Sequence, residues 1–143
     1  MKFIDLGLQL EPLRTKINKR IGSVLDSQSF IMGEEVYNLE KSLSAYVGRQ
    51  RECVSCSSGT DALLMSLMAL DVKAGDLIVT TPFTYIATAE VISLIGAIPV
   101  FIDIDPITFN IDPSKLEEFI VSNNDSSLKG VIAVDLFGQL ADY

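Results

Sequence analysis

The chain has 143 residues, one domain's worth, and its 48% hydrophobic and 21% charged content is ordinary globular usage that argues against disorder. Eleven basic residues against nineteen acidic ones give a net charge of −8, which excludes a reader of nucleic-acid backbones and a basic membrane-surface patch. Histidine is absent, so Ser-His-Asp and Cys-His catalysis and zinc-protease helices are excluded as well.

In chain order, Met1–Asp5 meets an acid too early for the apolar core of a signal peptide. Leu13, Ile17, Ile21, Val24 and Leu25 recur at helical spacing, with Pro12 suited to a first turn. After a loop over Ser27–Gly33, a second amphipathic helix is predicted from Glu34 to Val47. Val36, Leu39, Leu43 and Tyr46 form its stripe, its acids sit at the start, and Gly48 stops it.

From residue 51 strands and helices alternate. The predicted strands are Glu52–Ser57, Leu77–Thr81, Ile98–Ile104 and Val131–Phe137, and the predicted helices Thr60–Leu70, Tyr85–Leu94 and Asp112–Ile120. Asp112 is the expected N-cap of the last helix, with Pro113 at its first position. Lys73–Asp76 reads as a turn and Ser122–Lys129 as a polar loop. The helix over residues 60–70 is apolar almost all round and should be buried.

This alternation predicts right-handed crossovers and a mostly parallel sheet with helices on both faces. The chain stops six residues after the fourth predicted strand, before another crossover helix, and is read as a truncated α/β domain (51–143) preceded by a helical arm (1–50). The longest apolar stretch, Val91–Ile102, is 12 residues with Gly96 and Pro99 inside it, short of the about 20 a membrane span needs. A cytoplasmic protein is expected.

Cys53 and Cys56 form a C-x-x-C string. Zinc would need a second ligand pair, and along a strand their Cα atoms would stand about 10 Å apart, beyond the roughly 7 Å a disulfide tolerates. Both are expected to be buried thiols, and no metal site is expected.

Ligands of open parallel sheets gather at the carboxyl ends of the strands. Four segments should meet there: 57–61, 82–85, 103–105 and 137–139. In the first, Ser58-Gly59-Thr60 runs from a strand into a helix, whose first amides lack intrahelical partners. Gly59 permits close approach of an anion, and Ser58 and Thr60 add hydroxyls. An ordinary N-cap by Ser58 or Thr60 explains the same residues equally well. It is neither a Walker loop nor a dinucleotide fingerprint. Phe83 and Tyr85 could cover a flat heterocycle, although packing under a loop is the simpler account. Asp103 and Asp105 read as a strand-end turn rather than metal ligands.

Taken together, CVSCSSGTDALLM (53–65), PFTYIATAE (82–90), LIGAIPVFIDID (94–105) and VDLFGQLAD (134–142) resemble the DegT/DnrJ/EryC1/StrS family. Phe3-Ile4-Asp5-Leu6 and Phe30–Val36 are similar to it too. The resemblance runs over essentially the whole chain, which is less than half the family's usual length.

It implies the N-terminal part of the large domain of a pyridoxal-phosphate-dependent transferase of the aspartate aminotransferase type. It further implies an enzyme that passes an amino group, usually from glutamate, to a keto group of a nucleotide-linked sugar for surface polysaccharide synthesis, as a homodimer. Residue by residue, Gly59 and Thr60 would bind the cofactor phosphate with Ser58 beside them, Tyr85 would stack on the pyridine ring, and Phe83 and Thr84 would line the pocket. String 83–90 is most similar to members acting on 3-keto sugars.

The family's catalytic lysine and ring-nitrogen acid belong to motifs later than residue 143. None of the seven lysines (Lys2, Lys16, Lys19, Lys41, Lys73, Lys115, Lys129) matches, so no catalytic residue is named and residues 1–143 alone are expected to be inactive. Leu140 stands where relatives often carry proline. A sugar dehydratase of the same family, a shortened non-catalytic paralogue and a generic phosphate-binding module are the competing readings.

Overall fold

A computed structural model describes residues 3–48, 51–123 and 126–143. Lys2, the boundary expected at residue 50, and residues 124 and 125 of the expected polar loop lie outside the described residues. The chain divides into two compact units, Met1–Ser55 and Cys56–Tyr143.

The first unit is helical. Helix α1 (Leu6–Leu10) is capped by Asp5, whose Oδ1 accepts from the amides of Gly7 at 3.0 Å and Leu8 at 3.3 Å. A 3-10 turn, Glu11–Leu13, then leads into α2 (Arg14–Ser27). Helical structure thus begins earlier than the apolar periodicity predicts, because a local carboxylate caps it and Pro12 falls in a turn that tolerates it. Helix α3 (Glu34–Tyr46) carries Glu34 and Glu35 in its first turn, and Gly48 follows it at φ +107°, as predicted.

No strand forms over 52–57, which corrects the first predicted strand: residues 51–57 join no ladder among the described residues. The Ser55 amide, which a neighbouring strand's carbonyl would take, donates instead to Glu40 Oε1 on α3 at 2.8 Å, and the Ser55 hydroxyl donates to the same atom at 2.8 Å. The cysteines are corrected with it. Both thiols are free, Cys53 is half-buried and Cys56 is exposed.

The second unit is built on three strands. β1 (Leu77–Thr80) lies centrally, parallel to β2 (Ile98–Phe101) on one side and to β3 (Leu128–Val131) on the other. Leu77 pairs with Leu128 and Ile78 with Gly130, so the β1–β3 ladder skips Lys129 in a bulge. Helices α4 (Gly59–Ala69), α5 (Ala87–Leu94) and α6 (Pro113–Ser122) complete the unit.

Alternation along β1 sorts its side chains to two cores. Ile78 packs with Leu67 of α4 and with Val91 and Ile92 of α5. Val79 joins Ile102 and Ile111, against which Leu116 and Phe119 of α6 pack. Helices therefore cover both faces of the parallel sheet, as the alternation predicts.

Three predictions need amendment. The strand from Ile98 ends at Phe101 rather than Ile104. The chain doubles back over 103–112, with Ile104 bridging Ile111 antiparallel and the Asp112 amide donating to Asp103 O at 3.1 Å. The last strand is Leu128–Val131, not Val131–Phe137. Beyond Ile132, whose amide still reaches Val79 O at 2.8 Å, Leu136–Gly138 is a 3-10 turn: the Leu136 amide donates to Asn110 Oδ1 at 3.3 Å and the Gly138 amide to Asp135 O at 3.2 Å. Helix α4 is less buried than its composition predicts. Leu67 is its one buried residue, while Met65 and Met68 are 45% and 63% exposed. Only one side of α4 has α5 and the sheet to pack on.

Candidate functional site

Beyond the carboxyl ends of the strands three rings meet, two of them from predicted segments (82–85 and 137–139) and the third, Phe109, from outside them. Phe83 follows β1, Phe109 lies in the turn after β2, and Phe137 lies beyond β3. Their centroids are 6.0 Å apart for Phe83–Phe109, 6.5 Å for Phe83–Phe137 and 6.2 Å for Phe109–Phe137. These are tilted and edge-on contacts of the favourable kind. Phe109 and Phe137 hold φ of +63° and +57°, left-handed backbone that non-glycine residues rarely adopt.

Threonines flank Phe83 in sequence. Thr80 and Thr81 are fully buried: Thr80 Oγ1 donates to Ile132 O at 3.0 Å, and Thr81 Oγ1 accepts from the Phe83 amide at 3.2 Å. Thr84 and Thr88 share a hydroxyl hydrogen bond of 3.0 Å. The segment that delivers Tyr85 is therefore pinned by hydroxyls, while Tyr85 itself is 76% exposed.

The turn into α4 shows the N-cap of the plainer local reading. Ser58 is extended (φ −157°, ψ 165°), and its Oγ accepts from the Asp61 amide at 3.1 Å, which makes it the N-cap. At the first two helical positions, Gly59 and Thr60 leave their amides without intrahelical acceptors. A Cβ built on Gly59 would meet nothing within 4 Å, so the backbone there is open to approach. Asp61 in the same turn carries a negative charge that opposes an anion. Its carboxylate accepts a short hydrogen bond from the Ser57 hydroxyl.

Thr60 lines an open, mainly apolar pocket of about 700 Å³ with Ile86, Glu90, Leu94, Pro99 and Phe101. Thr60 and the residue after Tyr85 thus share one cavity wall. Ser58, Gly59 and Tyr85 are outside that lining.

Asp103 and Asp105 serve their turn. The Ile104 amide, and then Lys115 Nζ at 3.3 Å, hold the Asp103 carboxyl below its ordinary value. The Thr108 and Ile107 amides, at 2.8 and 2.9 Å, do the same for Asp105.

Sequence reasoning missed Asn110 and Asp135. Asn110 is buried, and its Nδ2 donates to the carbonyls of Gln139 (3.1 Å) and Leu140 (2.8 Å), while its Oδ1 accepts from the Leu136 amide (3.3 Å). Asp135 Oδ1 accepts from the Ala141 amide (2.8 Å) and from the Tyr143 hydroxyl (3.1 Å), and this bond raises the Tyr143 pKa. The available signal was an amide side chain set between apolar Phe109 and Ile111.

Fold and site together define a parallel-sheet α/β protein in which Thr60, in the first turn of α4, lines one pocket with Phe101 at the carboxyl end of β2. The chain belongs to the DegT/DnrJ/EryC1/StrS aminotransferase family, whose model matches residues 12–143. It is 46% identical, over all its 143 residues, to the UDP-2-acetamido-2-deoxy-3-oxo-D-glucuronate aminotransferase of Pseudomonas aeruginosa, and covers 38% of that protein. Among solved structures, a DegT/DnrJ/EryC1/StrS aminotransferase from Brucella abortus superposes with a TM-score of 0.92 at 40% identity, over 100% of this chain and 39% of that one. NtdA from Bacillus subtilis, solved with bound cofactor PMP, gives a TM-score of 0.81 at 34% identity, over 88% and 28%. The chain thus spans about two fifths of the length of the Pseudomonas and Brucella relatives.

Proposed function

We propose that this chain forms one wall of the cofactor site of a pyridoxal-phosphate-dependent aminotransferase acting on a keto group of a nucleotide-linked sugar. Glutamate is the proposed donor, a cytoplasmic homodimer the proposed form, and surface-polysaccharide synthesis the proposed setting. Residues 1–50 act as an arm and 51–143 as part of the cofactor-binding domain. The sugar and nucleotide assignment leans on the Pseudomonas relative, whose substrate is a UDP-linked 3-oxo sugar.

The observation that carries the proposal is the open turn at Gly59 and Thr60. Two unpaired amides at the positive end of an eleven-residue helix attract an anion by roughly 0.3–1 kcal/mol, and up to about 2 in partly buried geometry. A Cβ built at Gly59 meets no heavy atom within 4 Å, which supports close approach of a phosphoryl group, and the Thr60 hydroxyl can add a donor. Ser58 caps the helix and still has its own hydrogen to give, since a hydroxyl accepts and donates at once. Tyr85 would cover the pyridine ring, on a segment fixed by Thr81, Thr84 and Thr88.

When bound, pyridoxal phosphate supplies an aldehyde that takes up the amino group and a ring that withdraws electrons. The lysine and acid this chemistry also needs are assigned to no residue of 1–143.

Gly59→Asp sets a carboxylate where the phosphate would sit. In the natural gene product, pyridoxal phosphate affinity, followed by visible absorbance and circular dichroism, should fall about tenfold or more. Thr60→Val should produce a smaller loss. Wild-type affinity in Gly59→Asp would remove the phosphate assignment.

A further inference from the structure

We propose that Asn110 is a positioning residue for the strand-end aromatic loop: it holds Phe137 against Phe83 and so fixes the segment that carries Tyr85. The inference rests on the cofactor reading above. Asn110 is 3% exposed, and both hydrogens of its amide are used on consecutive carbonyls, Gln139 and Leu140, while its oxygen receives the Leu136 amide. One side chain therefore grips the loop on both sides of Phe137 and Gly138, whose φ values are +57° and +80°.

Left-handed backbone at an aromatic residue persists only where its surroundings over-determine it. The clamp supplies that constraint. With the backbone held, the Phe137 ring meets both Phe83 and Phe109, and Phe109 is itself the residue before Asn110. Phe83 is then fixed from two directions, by these rings and by the Thr81 hydroxyl on its amide. Tyr85 follows two residues later. A site is only as exact as the shell that supports it, and small misplacements cost large factors.

The test uses the natural gene product. In Asn110→Ala, amide hydrogen exchange over 136–141 should accelerate, pyridoxal phosphate affinity should weaken about tenfold, and the circular dichroism band of the bound cofactor should change. Phe137→Leu should give the same cofactor signature with the clamp intact, and the double variant should be no worse than the single ones. Asn110→Asp keeps the acceptor but loses both donors, and substitutes for Asn110→Ala should that variant fail to fold.

Faster exchange with unchanged affinity and band would overturn the inference and leave the cofactor reading standing, and so would additive losses in the double variant. Unchanged exchange would overturn the clamp itself. A wild-type protein that takes up no pyridoxal phosphate would overturn both readings.

Discussion

At the scale of single residues, the second unit depends on a few positions where backbone geometry leaves no choice. Gly96 closes the turn between α5 and β2 at φ +79°, and its carbonyl accepts from the Gly75 amide at 2.9 Å. A Cβ there would stand 2.9 Å from the Ala74 Cβ, closer than real Cβ atoms come. Gly96→Ala meets both the left-handed strain and this contact, and should lower unfolding free energy by about 1–3 kcal/mol in a urea titration. Positions of this local kind were legible in the sequence. Asp112 is the predicted N-cap, accepting from the Ser114 amide at 2.9 Å, and Gly48 ends its helix as expected. Asn110 was not legible, because its partners lie 26 to 30 residues downstream and no spacing rule reaches that far. For the candidate site the same division holds. The Ser58-Gly59-Thr60 turn announces itself through its neighbours, whereas the ring cluster needs three distant segments brought together.

Elements show where pattern and pairing part company. Helix types and most boundaries followed from local sequence, since a helix makes its hydrogen bonds within its own segment. The strands did not follow as well, because a strand exists only through its partner. Residues 52–57 have strand composition but find a carboxylate rather than a ladder, and the Lys129 bulge puts β3 out of phase with simple alternation. The Glu40–Ser55 contact leads to a pH prediction. Donation from the Ser55 amide first, and from its hydroxyl second, holds the Glu40 carboxyl below its ordinary 4.5. A depressed folded-state value favours the fold while the group is ionised. This contribution is complete above pH 4.5 and is lost as the pH falls through the folded value. Glu40→Gln should therefore flatten the acid limb of a stability-against-pH curve, measured as the urea midpoint at successive pH values. An acid limb identical to wild type would show that the contact adds nothing in solution.

Over the whole molecule, the parallel sheet with helices on both faces was readable from the alternation of segments, and the family from the order of its motifs. Burial was read less well. Composition predicts that α4 is enclosed, yet enclosure depends on how many layers surround a helix and not on its own residues. The outward side of α4 therefore comes with a built-in reporter. Thioether sulfur is converted to sulfoxide wherever peroxide in solvent can reach it, adding one oxygen to the mass of the peptide. Met65 and Met68 should react readily in residues 1–143 alone, and any partner or further segment laid over that side would slow them together. Met32, exposed on the other unit, provides the internal standard, so their relative oxidation rates give a chemical map of what covers the helix.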